Sequence, residues 1–157
     1  MKIGIISDTH DNLTNIRRAL RTFEREGAEA IVHAGDIIAP FAAAALLEFK
    51  GQLYAVFGNN DGEKKGLRGT GLDVADGPRR IELGGRVIAL AHTRERLTKA
   101  MDGADVAVAG HTHRPMIEQG PPLFVNPGEC CGWLAGRGTV VMLETDSLAA
   151  RIVDLES

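Results

Sequence analysis

The first sixty residues alternate short apolar runs with amphipathic segments, and this alternation restricts the fold more than any other feature of the sequence. The runs Lys2 to Ile6, Ala30 to His33 and Gln52 to Phe57 predict three strands. Helical spacing of apolar residues after the first run predicts one helix, and Pro40 starts a second that reaches about Phe49. Strands and helices that alternate at this spacing form a parallel sheet with right-handed crossovers.

Beyond residue 62 the pattern changes to closely spaced strands. Glycines at 62, 66, 69 and 71 predict a loop, and the runs 79–83 and 86–90 flank Gly84-Gly85 as a hairpin. One more helix is predicted from about Arg94 to Met101, with Thr93 as its N-cap. Further strands are predicted at 106–109, 116–118, 123–125, 139–144 and 149–155. We therefore expect two packed sheets with helices outside them, in one domain over residues 1–157.

Composition and charge argue against several classes of protein. A net charge of -3 does not suit a protein that coats nucleic acid or an anionic membrane, because both require excess Lys and Arg. The first apolar run ends at Ile6 and is too short for a signal peptide. The longest apolar stretch, Phe41–Leu47, cannot span a bilayer. We expect a cytoplasmic protein that does not bind membranes and has no nucleic-acid partner.

Polar side chains follow the predicted strands at the point where each strand ends. In α/β folds this edge gathers loops from distant parts of the sequence, and ligands bind there. His33, which lies within a strand run, is interpreted as a core residue. The other four of the five histidines stand at strand ends together with carboxylates and an amide. We expect seven N and O donors to face one crevice: Asp8, His10, Asp36, Asn59, His92, His111 and His113.

This donor set predicts a metal centre. It contains no thiolate, and its mixture of imidazole, carboxylate and amide suits Mn, Ni, Fe, Zn or Co. Seven donors are too many for one four-coordinate ion but suffice for two ions about 3.5–4 Å apart, with Asp36 as the shared carboxylate. Two dications outweigh the charges of Asp8 and Asp36, so the site would attract an anionic substrate. Such a pair binds phosphate oxygens and supplies a metal-bound hydroxide near neutral pH.

Five segments, in order and spacing, resemble the motif series of the calcineurin-like metallophosphoesterases. These segments are Asp8-Thr9-His10, Gly35-Asp36, Gly58-Asn59-Asn60-Asp61, Ala91-His92 and Gly110-His111-Thr112-His113. The loop from Asn126 to Gly132 is similar to that of the small YfcE-type phosphodiesterase branch. The resemblance implies a four-layer α/β/β/α sandwich of two mixed sheets flanked by helices, and a phosphodiesterase that acts on a small-molecule phosphate ester.

The resemblance also implies how the ligands divide between the two ions. One ion would take Asp8, His10 and His113. The other would take Asn59, His92 and His111. Asp36 would bridge them.

Two positions depart from the family pattern. Much of the family has a histidine that helps the leaving group depart where this chain has Asn60. An amide cannot act as a general acid near neutral pH, so substrates with good leaving groups should be favoured. A water held by Asp61 is the remaining candidate acid. The family's His-Gly pair is His92-Thr93 here, which would alter the loop beside the second metal without removing its ligand.

Other features leave alternatives open. Asn126 begins an Asn-Pro-Gly turn and is interpreted as structural. The adjacent Cys130 and Cys131 fit neither a disulfide framework nor a CxxC motif and are interpreted as packing residues. Trp133 would line a substrate pocket or form a subunit contact, and we favour the contact in a homo-oligomer, a dimer or a tetramer.

Two other functions stay open on the same fold. A non-catalytic protein-interaction scaffold would have lost metal ligands, whereas all seven ligand types are present here. A nuclease would share the metal chemistry and differ only in its substrate, but the sequence has no basic stripe with interleaved aromatic residues.

Overall fold

Two mixed β-sheets pack face to face in the computed structural model, which describes residues 1–155. The strands, in chain order, are β1 (Lys2–Ile6), β2 (Ala30–His33), β3 (Gln52–Val56), β4 (Asp73–Ala75), β5 (Arg79–Leu83), β6 (Arg86–Leu90), β7 (Val106–Val108), β8 (Pro115–Glu118), β9 (Leu123–Pro127), β10 (Thr139–Glu144) and β11 (Ala149–Asp154). The first sheet has the order β11-β10-β1-β2-β3-β4, and the second has the order β5-β6-β7-β9-β8.

Parallel pairing brings the ends of several strands level. In the first sheet β1, β2, β3 and β4 are parallel, with Ile6 opposite His33 and His33 opposite Ala55. In the second sheet β6, β7 and β9 are parallel, with Leu90 opposite Val108. The loops that follow these strands therefore leave both sheets at the same edge, which is where the polar motifs lie.

The central core lies between the two sheets. Ile5 and Val32 of the first sheet pack in one cluster with Ile88, Leu90 and Val108 of the second, and none of these side chains is exposed. Side chains alternate across a strand, so neighbouring residues of the same strands face outward and need a second covering layer.

Helices provide that outer layer. They are α1 (Leu13–Glu26), α2 (Pro40–Leu46) and α3 (Lys64–Gly69), followed by a 3-10 helix at Arg94–Leu97. On the first sheet, Phe23 of α1 and Leu46 of α2 share one buried cluster with Ile6. On the second, Leu97 shares a buried cluster with Phe124. The predicted α/β/β/α sandwich is confirmed.

The first helix forms where its sequence predicts it. The Asn12 side chain accepts a hydrogen bond from the Asn15 backbone and caps the first turn. Gly27 ends the helix in the left-handed conformation, with φ of 76°. The second helix is shorter than predicted. It ends at Leu46, because the next residues form tighter turns, such as the bond from the Phe49 N–H to the Leu46 carbonyl.

The prediction of a helix from Arg94 to Met101 is wrong. Only the single 3-10 turn forms, and Thr93 makes no side-chain cap. Beyond this turn, the guanidinium of Arg80 in β5 donates hydrogen bonds to the carbonyls of Ala100 and Asp102. Residues after Leu97 form isolated turns, such as those closed by the Ala100 and Met101 N–H groups on the Leu97 carbonyl, and do not continue a helix.

The prediction of a loop between residues 62 and 71 is also wrong in part. It contains α3, in spite of two glycines within the helix, because Leu67 is fully buried against the core. Strand β4 was not predicted, since three residues carry too little periodicity to detect. Other strand ends differ from the predictions by one or two residues.

Among the described residues, no helix has both the length and the apolar character needed to cross a membrane.

Candidate metal centre

The structure brings all seven predicted donors to one edge of the molecule. Each stands in a loop just after a parallel strand: Asp8 and His10 follow β1, Asp36 follows β2, Asn59 follows β3, His92 follows β6, and His111 and His113 follow β7. The donors form two groups of three on either side of Asp36.

The first group contains Asp8, His10 and His113. Asp8 Oδ1 lies 3.7 Å from His10 Nε2 and 3.3 Å from His113 Nε2. Asp8 Oδ1 and His10 Nε2 are buried, and within the described residues neither has a hydrogen-bond partner. Buried polar atoms without partners are costly. A cation bound between these atoms would satisfy both of them.

The second group contains Asn59, His92 and His111. Asn59 Oδ1 lies 2.8 Å from His92 Nε2 and 3.0 Å from His111 Nδ1. The other His92 nitrogen, Nδ1, lies 2.7 Å from the Ala34 carbonyl and must donate to it. Neutral His92 therefore turns a lone pair toward the amide oxygen. Converging lone pairs attract a cation, so this group also fits a metal ion.

Asp36 lies between the two groups. Its Oδ2 atom is 3.5 Å from His10 Nε2 and 3.5 Å from His92 Nε2. Asn60 donates to both carboxylate oxygens, through its backbone N–H at 2.9 Å and its side-chain amide at 2.8 Å. Burial alone would raise the pKa of Asp36, but protonated His92 and the two hydrogen bonds from Asn60 hold that pKa well below its usual value. The central group is thus a carboxylate near neutral pH.

Protons and metal ions would compete for this site. The Asp8 carboxylate raises the pKa of His10. Burial lowers the pKa of His92, but the Asp36 carboxylate outweighs burial and leaves it raised. Without metal, protonated imidazoles can therefore balance the buried carboxylates. Metal binding requires those protons to leave.

Five donors have backbone angles that residues other than glycine rarely adopt. Their φ values are 52° for Asp8, 37° for His10, 59° for Asp36, 69° for His111 and 62° for His113. Each such residue costs on the order of 1 kcal/mol or more. Hydrogen bonds hold the turns, including one from the His111 N–H to Asp8 Oδ2 at 3.0 Å. The strain is concentrated where side chains are turned into the crevice.

Two glycines allow the loops to approach one another. A Cβ on Gly58 would lie 2.0 Å from Asp36 Oδ1. A Cβ on Gly110 would lie 1.9 Å from Ser7 Oγ and 2.6 Å from Asp8 Oδ2. Only glycine fits at these positions, immediately before Asn59 and His111.

Comparison with known proteins agrees with this geometry. The calcineurin-like phosphoesterase superfamily domain matches residues 1–148. The chain belongs to this superfamily. It is 36% identical over 166 residues to the phosphodiesterase MJ0936 of Methanocaldococcus jannaschii, a match that covers 99% of this chain and 100% of that protein. It is 31% identical over 146 residues to the phosphodiesterase YfcE of Escherichia coli K12, with 82% and 78% covered.

A solved structure leads to the same conclusion. The structure of a novel archaeal phosphodiesterase superposes with a TM-score of 0.87 and 34% identity, and covers 99% of this chain and 100% of that one. The predicted family, its YfcE-type branch and the enzyme class are therefore confirmed. The protein is a metal-dependent phosphoric ester hydrolase.

In this phosphoesterase Asp61 lies behind the Asp36 loop. It accepts hydrogen bonds of 2.7–2.9 Å from the backbone N–H groups of Asp36, Ile37, Ile38 and Gly58. A carboxylate has about four acceptor positions, and these four bonds fill them. The geometry favours a positioning role for Asp61 over the water-holding role considered from the sequence.

His33 also supports a ligand loop of the phosphoesterase. It is fully buried, and its Nδ1 accepts a hydrogen bond from the Gly35 N–H at 3.0 Å. Its Nε2, 3.2 Å from Thr9 Oγ1, therefore carries the proton. Burial lowers the pKa of His33 to about 4. Its placement in the core agrees with the sequence interpretation, and it also contacts the residue between Asp8 and His10.

Asn126 supports the other side of the site. Its side-chain amide donates to the Gly110 carbonyl at 2.9 Å and to Thr112 Oγ1 at 3.0 Å. Its oxygen accepts from the Gly128 N–H at 2.9 Å. The turn sequence thus holds the loop that carries His111, in keeping with its structural interpretation.

The sequence analysis did not single out Glu129. This residue follows β9, and only 1% of its surface is exposed. One oxygen accepts from His113 Nδ1 at 2.7 Å. A charged residue within an apolar, glycine-rich loop is the signal that could have identified it.

The neighbouring cysteines are free, buried thiols. Burial raises the pKa of Cys131 to about 12, and it raises the pKa of Cys130 well above its ordinary value. Neither thiol ionises near neutral pH, which agrees with their interpretation as packing residues.

Proposed function

We propose that this phosphoesterase hydrolyses small-molecule phosphodiesters with two divalent metal ions. The observation that supports this proposal is the position of Asp36 Oδ2, 3.5 Å from one imidazole nitrogen of each donor group. When bound, the ions would supply a hydroxide nucleophile near neutral pH and would neutralise charge that develops on the phosphate. Mn, Ni, Fe, Zn and Co all suit the donor set.

The distances within the two donor groups support the following division of the side chains between the two ions. Asp8, His10 and His113 would hold one ion, Asn59, His92 and His111 would hold the other, and Asp36 would bridge them. The carboxylates of Asp8 and Asp36 balance only two of the four positive charges. The net charge would draw a phosphate ester into the crevice.

Asn60 would contact the ester. Its exposed amide lies over the bridging carboxylate and can donate a hydrogen bond to a phosphate oxygen. It cannot give a proton to the leaving group. Asp61 would support the reaction indirectly, by holding the backbone on either side of Asp36.

Diesters are the proposed substrates because two relatives carry the name phosphodiesterase. The intact set of seven donors favours an enzyme over a metal-free scaffold. A homo-oligomer and a cytoplasmic location stay predictions.

The proposal can be tested by chelation and reconstitution. Protein stripped of metal should hydrolyse bis-(para-nitrophenyl) phosphate only after Mn, Ni, Fe, Zn or Co is restored, and faster than it hydrolyses para-nitrophenyl phosphate. Asp36→Asn should lower kcat/KM by more than about 100-fold, because it removes the charge of the shared ligand.

His33→Ala is the matched comparison, since His33 supports a ligand loop without binding metal. When equal fractions of the two variants are folded, His33→Ala should lower kcat/KM less than Asp36→Asn does. Equal losses would mean that His33 does more for catalysis than support a ligand loop. Activity that survives chelation would contradict the whole proposal.

A further inference from the structure

Glu129 is a buried carboxylate whose charge is balanced by hydrogen bonds. Within residues 1–155 its ion-pair partner is His113, and no Lys or Arg pairs with it. Its oxygens also accept from the backbone N–H groups of Leu134, at 2.9 Å, and of Ala135, and from the Cys131 thiol at 3.4 Å. Burial of an ionised carboxylate is unfavourable unless donors surround it, and here donors occupy both oxygens.

On one side, Glu129 determines the tautomer of His113, which belongs to the first donor group. His113 donates from Nδ1 to the carboxylate, so its lone pair is at Nε2. That atom points toward Asp8 Oδ1, 3.3 Å away. A carboxylate behind a ligating histidine fixes both the tautomer and the direction of the ring.

On the other side, Glu129 holds the loop 132–136. Gly132 and Gly136 flank this loop with φ values of 71° and 73°. Trp133 and Leu134 project from it, with 64% and 77% of their surfaces exposed. The indole N–H of Trp133 lies 3.4 Å from the His10 carbonyl.

The loop is thus attached to the first donor group at two points. One is the carbonyl of His10, and the other is Glu129, which binds His113. The His10 and His113 rings are themselves neighbours, with centroids 5.3 Å apart. The His113 ring therefore reaches the loop through the Glu129 carboxylate, and His10 reaches it through its own backbone carbonyl.

We propose that Glu129 is a positioning residue that couples metal binding by His113 to the position of the loop bearing Trp133. Its carboxylate holds the imidazole in the metal-binding orientation, and the same carboxylate anchors the loop at the rim of the site. Filling the first donor group then fixes Trp133 beside the crevice. This inference rests on the proposed function, because it takes His113 as a metal ligand.

Trp133 is the single tryptophan in the chain, so intrinsic fluorescence reports this loop directly. Zn²⁺ is the probe, since it is diamagnetic and does not quench indole emission by itself. Titration of metal-free protein with Zn²⁺ should shift the emission of Trp133 and raise its anisotropy. The change should follow the binding of one ion, measured in parallel by equilibrium dialysis.

Glu129→Gln removes the charge and places an amide where several donors require an acceptor. Its affinity for one Zn²⁺ ion should fall about 10–100-fold, whereas the second ion binds as before. At saturating Zn²⁺ the emission change should be lost. Glu118→Gln makes the same chemical change at an exposed glutamate paired with Arg94 and should behave like the parent.

The outcomes distinguish the dinuclear proposal from the coupling proposed for Glu129. A parent that binds no more than one Zn²⁺ ion contradicts the dinuclear proposal. A parent that binds two ions without any change in Trp133 emission overturns the coupling alone, whether or not the variant folds. Unchanged affinity and an intact emission response in Glu129→Gln would also overturn it.

Discussion

At the scale of single residues, Asn60 is where the mechanism can be tested most sharply. Its amide donates to Asp36 and offers no proton for the leaving group. The leaving group must then depart largely as an anion, so turnover should fall steeply as leaving-group pKa rises. Rates for a series of aryl phosphodiesters of graded leaving-group pKa would give this slope.

Asn60→His is the informative variant for the same series. An imidazole that reaches the ester oxygen should flatten the slope and add an ionisation to the pH-rate profile. A shallow slope in the parent would show that another acid already protonates the leaving group. Asp61 is poorly placed for that task, because backbone N–H groups fill its oxygens.

At the scale of elements, the site depends on how closely the ligand loops approach one another. Gly110, in the loop after β7, has no side chain and so lets that loop lie against Ser7 and Asp8. Gly110→Ala should displace both Asp8 and His111 and so weaken metal binding in both donor groups. It should also lower the free energy of unfolding by about 1–3 kcal/mol, as overpacking does.

Gly69→Ala is the control for that change. A Cβ at Gly69 meets nothing within 4 Å, and the residue lies in α3. The control should keep parent-like metal binding and equal or greater stability. Metal affinity in Gly110→Ala that matches the control, measured by equilibrium dialysis, would show that the loops tolerate more space than the structure indicates.

The sequence predicted the elements that position the ligands, because parallel strands and their polar ends carry strong local patterns. It failed where tertiary contacts decide the outcome. Leu97 and Ala100 are buried, as helical spacing suggested, but they pack against the second sheet from a 3-10 turn and the tight turns that follow it. Glu129 could not be paired with His113 from the sequence, since only the fold brings the loop after β9 beside the loop after β7.

At the scale of the whole molecule, the buried His33 should make stability depend on pH. Above about 6.5 its ring is neutral in both folded and unfolded chains. As pH falls from about 6.5 toward about 4, only the unfolded chain takes up the proton, so stability falls. The full loss is about 3 kcal/mol. The charges of Asp8 and Asp36 favour protonation in the fold, whereas His92 and His10 oppose it.

The measurement is urea unfolding of metal-free parent and His33→Gln between pH 7 and pH 4.5. Glutamine can keep a donor toward Thr9 and an acceptor toward Gly35 but does not titrate. The other histidines are the same in both proteins, so the difference between the two free energies of unfolding reports the titration of His33. The parent should lose stability relative to the variant as pH falls, and a constant difference would contradict the lowered pKa of His33.

The central claim is that two metal ions share Asp36, and anomalous scattering from crystals soaked with Mn²⁺ tests it most directly. We expect two peaks about 3.5–4 Å apart. One should lie among Asp8, His10 and His113, the other among Asn59, His92 and His111, with the Asp36 carboxylate between them. A single peak at saturating Mn²⁺, or two peaks without Asp36 between them, would contradict the dinuclear account.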